Sequence, residues 1–193
     1  VQPNSKNFYV LPEEAQRLIS ENSVYAEVIR PFATADDLTD LPLGRSARWI
    51  IDFSEKSIEE AERYPYAFSQ AKTLVKPERE SNREKVLKEK WWRFKRTNAD
   101  LREALFAVDC YICFPRHSKW VMPLLIPNVA LPGDSTTVIA SSDHYILGIV
   151  TSLVHRTWIL AQKSTLEDRT RYTHTTCFNN FPFPQLVNAE QAE

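Results

Sequence analysis

The sequence predicts an α+β fold, a mixed β-sheet with flanking helices, and three observations carry that prediction. Runs at 47–53, 110–114, 121–126 and 137–140 are short, apolar and rich in β-branched or aromatic residues, the composition of strands. Segments between them carry helical spacing and start signals. Near the C-terminal end, Ile146, Val150, Leu153, Val154 and Trp158 recur at helical spacing in a stretch apolar on most sides. That stretch predicts one long buried scaffold helix over 143–162, capped by Ser141 or Ser142.

The elements follow in order. Pro12 and the acids Glu13 and Glu14 suit the first turn of a helix over 12–20. Residues 24–32 are a brief mixed segment, and 33–46, with several Asp, Pro42 and Gly44, reads as a loop before the strand at 47–53. Ser57 caps a short helix that stops before Pro65, and 66–75 is helical. A charged connector at 77–84 leads into a helix over 84–93 that ends on the adjacent Trp91 and Trp92. Asn98 is the expected N-cap of a helix over 99–108, with Leu101, Leu105 and Val108 on one stripe. Polar loops are expected at 115–120 and 128–136. After the long helix come an extended polar segment at 163–174, an aromatic–proline segment at 175–184 that cannot be regular helix, and a polar tail at 185–193.

Composition bounds the function. The 193 residues carry a net charge of -1, with 43% hydrophobic and 25% charged residues, as in ordinary globular domains. No apolar run is long enough to span a membrane and no secretory leader is visible. Three cysteines, an odd number, argue for free thiols and a reducing cytosol. Cys110 and Cys113 have CxxC spacing, but on a strand they point to opposite faces, and no second pair completes a zinc site. The expectation is therefore no metal, with His117 the residue that keeps the idea open. His144 and His155 read as structural histidines. The chain begins at Val1 and reads as a piece of a longer protein.

Charge is unevenly spread. Acids dominate 11–62, whereas Lys72, Lys76, Arg79, Arg83, Lys85, Lys88, Lys90, Arg93, Lys95, Arg96 and Arg102 outnumber the acids of 72–102. Such a basic stretch is either an electrostatic footprint for nucleic acid or a solvated helix laced with charge pairs. An exposed indole of Trp91 or Trp92 beside Lys90 and Arg93 would stack on bases; packing of both rings in a core is the plainer alternative. With three glycines the chain has neither GxGxxG nor GxxxxGK[ST], and HExxH and GxSxG are also missing. No catalytic residues or cofactor site can be nominated, so the chain reads as a binder.

The chemistry lies in Lys163-Ser-Thr-Leu-Glu-Asp-Arg-Thr-Arg-Tyr-Thr-His174. As one extended segment it sets Lys163, Thr165, Glu167, Arg169, Arg171 and Thr173 on one face. Arginine pairs with guanine edges and a carboxylate accepts from the cytosine amino group, so this row suits major-groove readout. The same row equally suits a charged edge strand that resists aggregation. Arg116 and Lys119 in the 115–120 loop, Arg156 near the end of the long helix, and Lys163, Lys90 and Arg93 suit phosphate contacts.

Several blocks together carry a resemblance. They are Arg48-Trp-Ile-Ile-Asp-Phe53, Tyr64-Pro65, Val75-Lys-Pro-Glu-Arg79, Lys90-Trp-Trp92, Leu147-Gly-Ile-Val-Thr-Ser152, His155-Arg-Thr-Trp158 and Asn179-Asn-Phe-Pro-Phe-Pro184. In this order, from about residue 7 to 184, they resemble the target-recognition region of type IIL restriction–modification proteins and related adenine-N6 DNA methyltransferases. The resemblance implies a non-catalytic module that recognises double-stranded DNA for a methyltransferase core in the same chain. It implies base reading by Glu167, Arg169 and Arg171, with a further reading loop mapping near 134–136 and centred on Ser135. It places S-adenosylmethionine and the catalytic Asn-Pro-Pro-Tyr motif in the core, a cytoplasmic prokaryotic setting, and a possible endonuclease in the parent. The corresponding division is an N-terminal linker and helical segment leading from that core at 1–46, the recognition domain at 47–184 and the tail at 185–193. The competing expectation is a structural or protein-interaction domain without base readout.

Overall fold

The computed structural model describes residues 1–40, 47–162, 164–166 and 169–184. Its strands are β1 (Tyr9–Val10), β2 (Ile29–Ala33), β3 (Arg48–Ile51), β4 (Cys110–Pro115) and β5 (His117–Ser118). They continue as β6 (Leu124–Pro127), β7 (Leu131–Pro132), β8 (Thr136–Ile139), β9 (Ser164–Leu166) and β10 (Arg169–Arg171). The helices are α1 (Pro12–Glu21), α2 (Ala35–Asp40), α3 (Ile58–Ala61), α4 (Pro65–Gln70) and α5 (Lys76–Glu80). After α6 (Lys85–Glu89) and α7 (Ala99–Phe106) come α8 (His144–Thr151) and α9 (Leu153–Gln162). This is an α+β fold, as the composition of the runs predicts.

Three sheets organise it. The first has the order β1-β3-β2-β7 and is mixed, antiparallel except where β2 runs parallel to β7. The second, β6-β4-β8, and the third, β5-β10-β9, are antiparallel. Residues 1–40 are built into the first sheet and not appended to it. They supply β1 and β2, and Phe8, Ala15, Leu18 and Ile29 are buried in one cluster with Ile50, Phe53, Val75, Trp91 and Phe94. The tail at 185–193 lies outside the described residues.

Strand β4 joins the other two cores because a strand alternates its side chains. Tyr111 and Cys113 enter a cluster with Leu38, Leu105 and Ile126, while Ile112 and Phe114 enter one with Val150, Ile159, Tyr172 and Cys177. Cys113 is fully buried, and burial pushes its thiol up to about 12. The second half of the CxxC pair is thus a small apolar core residue. Among the described residues no group of His, Cys, Asp and Glu is clustered to hold a metal.

Several expectations are corrected. The apolar stretch over 143–162 is two helices, broken at Ser152, whose backbone is extended. The Thr151 hydroxyl donates back to the carbonyls of Leu147 (2.8 Å) and Gly148 (3.0 Å), and Ser152 Oγ accepts from the His155 amide at 3.2 Å, starting α9. The pair is not a buried scaffold either: Leu153 is 75% and Val154 69% exposed. Arg156 therefore stands in the first turn of a helix, not near the end of one. The segment 33–46 contains α2, because the buried Asp37 accepts from the Thr34 amide at 2.8 Å and from Arg48 at 2.8 Å. Asn98 adopts φ 53° and makes no side-chain cap for α7. The connector at 77–84 holds most of α5, and the loops at 115–120 and 128–136 hold β5 and β7.

Candidate nucleic-acid interface

The basic stretch at 72–102 is paired only in part: Lys72, Arg83, Lys88, Lys90 and Arg96 are exposed and make no ion pair among the described residues. Lys76 meets Glu80 at 3.9 Å, Lys85 meets Glu89 at 3.5 Å, Lys95 meets Glu84 at 2.5 Å and Arg102 meets the buried Asp52 at 2.7 Å. Arg79, 1% exposed, donates to the carbonyls of Pro3 (2.7 Å), Trp91 (3.0 Å), Lys90 (3.4 Å) and Arg93, and burial lowers its guanidinium to about 10. Arg93 is itself committed: it donates to the Ser54 carbonyl at 2.9 Å and pairs with Glu55. The Trp pair is packing. Trp91 is buried, and Trp92 rests edge-on against it and donates to the Lys56 carbonyl at 3.0 Å. Of the nominated residues here, Lys90 alone stays exposed without an ion pair among the described residues.

Around β10 the side chains have different work. Its register partners are Ser118 for Thr170, His117 for Arg171 on one side, and Leu166, Thr165 and Ser164 for Arg169, Thr170 and Arg171 on the other. Thr170 and Ser118 are buried, whereas Arg171 and His117 are exposed, so the sheet has one packed face and one solvent face. Arg169 holds the alternate register position to Arg171. The single straight row expected over 163–174 does not exist: β9 and β10 are antiparallel neighbours, and Thr165 is the partner of Thr170, out of line with Arg169 and Arg171. Lys163, Glu167 and the side chain of Arg169 lie outside the described residues.

The sheet is anchored from beneath. Tyr172, fully buried, stacks on Phe114 with centroids 4.1 Å apart, donates its amide to the Arg116 carbonyl at 2.9 Å, and meets His155 Nε2 through its hydroxyl at 3.2 Å. Burial raises the Tyr172 hydroxyl above the usual tyrosine range and lowers His155 to about 4, so the pair is neutral. Neither His155 nor Tyr172 is a ligand-bearing surface group; together they fix where Arg171 emerges.

Arg116, Lys119 and Arg156 gather beside this sheet. Arg116 lines a cavity of 450 Å³ with Arg96, Asp134, Thr137 and His174. Lys119 and Arg156 both lie over the ring of Trp120, at 5.6 and 5.5 Å from its centroid. Ser135 is close by, since its carbonyl accepts from the Arg116 amide at 2.8 Å. Its hydroxyl, however, accepts from the Ala35 amide at 3.0 Å and so tethers the start of α2. Lys90 and Arg93 flank the first sheet's core and share no described contact with this cluster. Trp120 and the His155–Tyr172 pair went unnominated in the sequence. An indole set in a basic loop was the signal available for the first, and nothing local marks the second.

Comparison with known proteins places this geometry. The family model described as MmeI, target recognition domain, matches residues 1–185. A solved structure of the type IIL restriction–modification enzyme MmeI in complex with DNA superposes with a TM-score of 0.74 at 20% sequence identity, covering 99% of this chain and 25% of that one. At that identity the likeness is one of fold. DNA methyltransferase A of Bacillus subtilis (strain 168) is 38% identical over 56 residues, 29% of this chain and 6% of that protein. The chain thus spans a quarter or less of the length of either relative. With nearly its whole length matched by the family model, the chain belongs to the family of MmeI target recognition domains.

Proposed function

We propose that this domain recognises a specific sequence in double-stranded DNA on behalf of an adenine-N6 DNA methyltransferase of the restriction–modification type. The observation that carries the reading is the solvent face of the β5-β10-β9 sheet: Arg171 is exposed on it, Arg169 holds the alternate position, and Arg116, Lys119 and Arg156 adjoin it without carboxylate partners among the described residues. Arg169 and Arg171, with Glu167 preceding them, read base edges, since a bidentate guanidinium discriminates guanine in the major groove. Arg116, Lys119, Arg156 and Lys163 hold phosphates, which set register without reading sequence. Ser135 contributes to readout only by releasing the Ala35 amide. Methyl transfer, by a core that flips the target adenine, takes place elsewhere in the full-length protein.

S-adenosylmethionine belongs to that core. The glycines described here do not fit a donor-cradling turn: an added Cβ at Gly133 would meet Phe32 at 3.0 Å, and Gly148 faces open space on α8. No step is therefore assigned to the cofactor in this domain.

A second reading has its own observation. Tyr145, Ile149, Val154, Phe181 and Pro182 line an apolar cavity of 640 Å³ on the α8–α9 face, which suits packing against a neighbouring domain. Salt separates the two readings on the full-length protein. DNA affinity should fall linearly on a log–log salt plot, and Lys119→Ala should flatten the slope by about 0.9 while weakening all sequences alike. Arg171→Ala should instead cost about 1–3 kcal/mol on the preferred sequence and relax one position. Uniform losses for both variants would remove base reading by β10.

A further inference from the structure

Trp120 is an exposed indole that neither packing nor the assigned roles account for. It is 56% exposed, and Met122 two residues on is 58% exposed, although large apolar side chains are ordinarily covered. The pair forms the rim of a 230 Å³ cavity with Val121, Pro123, Val150 and Ile159. The loop that carries the indole is locally fixed: Ser118 Oγ accepts from the Trp120 amide at 3.1 Å and donates to the Trp120 carbonyl at 2.6 Å. Two cations, Lys119 and Arg156, lie over the ring, and neither has a carboxylate partner among the described residues. Position follows from register. Strand β5 runs antiparallel to β10 with Ser118 opposite Thr170, so the chain leaving Ser118 heads towards the end of β10 where Arg169 stands.

We propose that Trp120 is a base-stacking contact with DNA at the border of the recognised site, with Lys119 and Arg156 leaving the ring to hold the phosphates on either side. The proposal rests on the DNA-recognition reading above. The surface is complementary to nucleic acid: an apolar ring able to stack on a base is flanked by two cations that have no carboxylate partner among the described residues. A protein surface covering Trp120 would have to bury those two charges or bring acids to them. Base faces in a duplex are covered by neighbouring pairs, so the ring stacks by wedging into a base step at the border of the site. Every step offers π-faces, so the contact tolerates sequence and adds affinity where Arg169 and Arg171 add discrimination.

The test uses the full-length protein with Trp120→Ala, Trp120→Phe and Arg171→Ala, titrated with a duplex carrying the preferred site and with 2-aminopurine walked along it. Trp120→Ala should weaken binding about 5- to 150-fold at unchanged salt slope, and Trp120→Phe should retain most of the affinity. One 2-aminopurine position should be quenched by the wild type and not by Trp120→Ala. Unchanged affinity in Trp120→Ala overturns the proposal. Unchanged affinity with a lowered melting temperature would in addition mark the ring as a domain-packing contact. Base reading by β10 fails separately, if Arg171→Ala keeps the wild-type preference while Trp120→Ala loses affinity. Absence of any DNA binding by the wild type overturns both.

Discussion

His155 shows what a buried side chain costs and fixes. It is fully buried, its Nε2 is shared with Tyr172, its Nδ1 has no partner among the described residues, and Phe181 lies edge-on at 4.5 Å. Desolvation holds it neutral in the folded chain down to about pH 4, while in the unfolded chain it protonates near its ordinary value of 6.5. Between those two values the unfolded state binds the extra proton, so stability falls as the pH drops from about 6.5 to about 4. Above that window His155 contributes no pH dependence. The loss saturates at roughly 3 kcal/mol. Urea midpoints of the wild type and His155→Gln across pH 4–7.5 check this; the variant should lose that component of the slope. A pH-independent difference between them would mean that burial does not depress this histidine.

At the scale of elements, local signals decided some boundaries and tertiary contacts decided others. Pro12 with Glu13 and Glu14 marks α1, and Ser57 with Glu60 forms a reciprocal capping box at α3, both visible in the sequence. The break at Ser152 was legible too, as a Thr-Ser pair inside an apolar run, but helical periodicity is blind to a hydroxyl that turns back on its own carbonyls. The Thr34-to-Asp37 start of α2 was likewise overlooked among loop-like acids. Arg79 is the opposite case. Nothing local distinguishes it from the exposed Arg83, yet its guanidinium joins α5 to the chain at Lys90–Arg93 and to Pro3. Arg79→Met should strip donors from buried carbonyls and cost at least about 3 kcal/mol, against about 0.5 kcal/mol or less for Arg83→Met. Equal denaturation midpoints for the two variants would contradict that role.

At the scale of the whole chain, a net charge of -1 gives no global bias towards nucleic acid, so the proposed recognition rests on a local cluster. The spacing of Arg169 and Arg171 nominated this segment in the sequence, and β10 with its buried Thr170 leaves Arg171 on the exposed face. Summed charge ignores pairing: several cations of the 72–102 stretch are paired or buried, whereas Arg116, Lys119 and Arg156, without carboxylate partners among the described residues, come from two separate segments that the fold brings together. Trp91 and Trp92, conspicuous in the sequence, are packing, and among the described residues Trp120 is the exposed indole. In the proposed function, alternate positions at 167–171 read base pairs. Such base reading is tested most directly by selecting bound duplexes from a random pool with the full-length protein, alongside Glu167→Ala, Arg169→Ala and Arg171→Ala. One defined motif is expected for the wild type, with loss of information at a single position in each variant. No enriched motif, or the unaltered wild-type motif in all three variants, would contradict it.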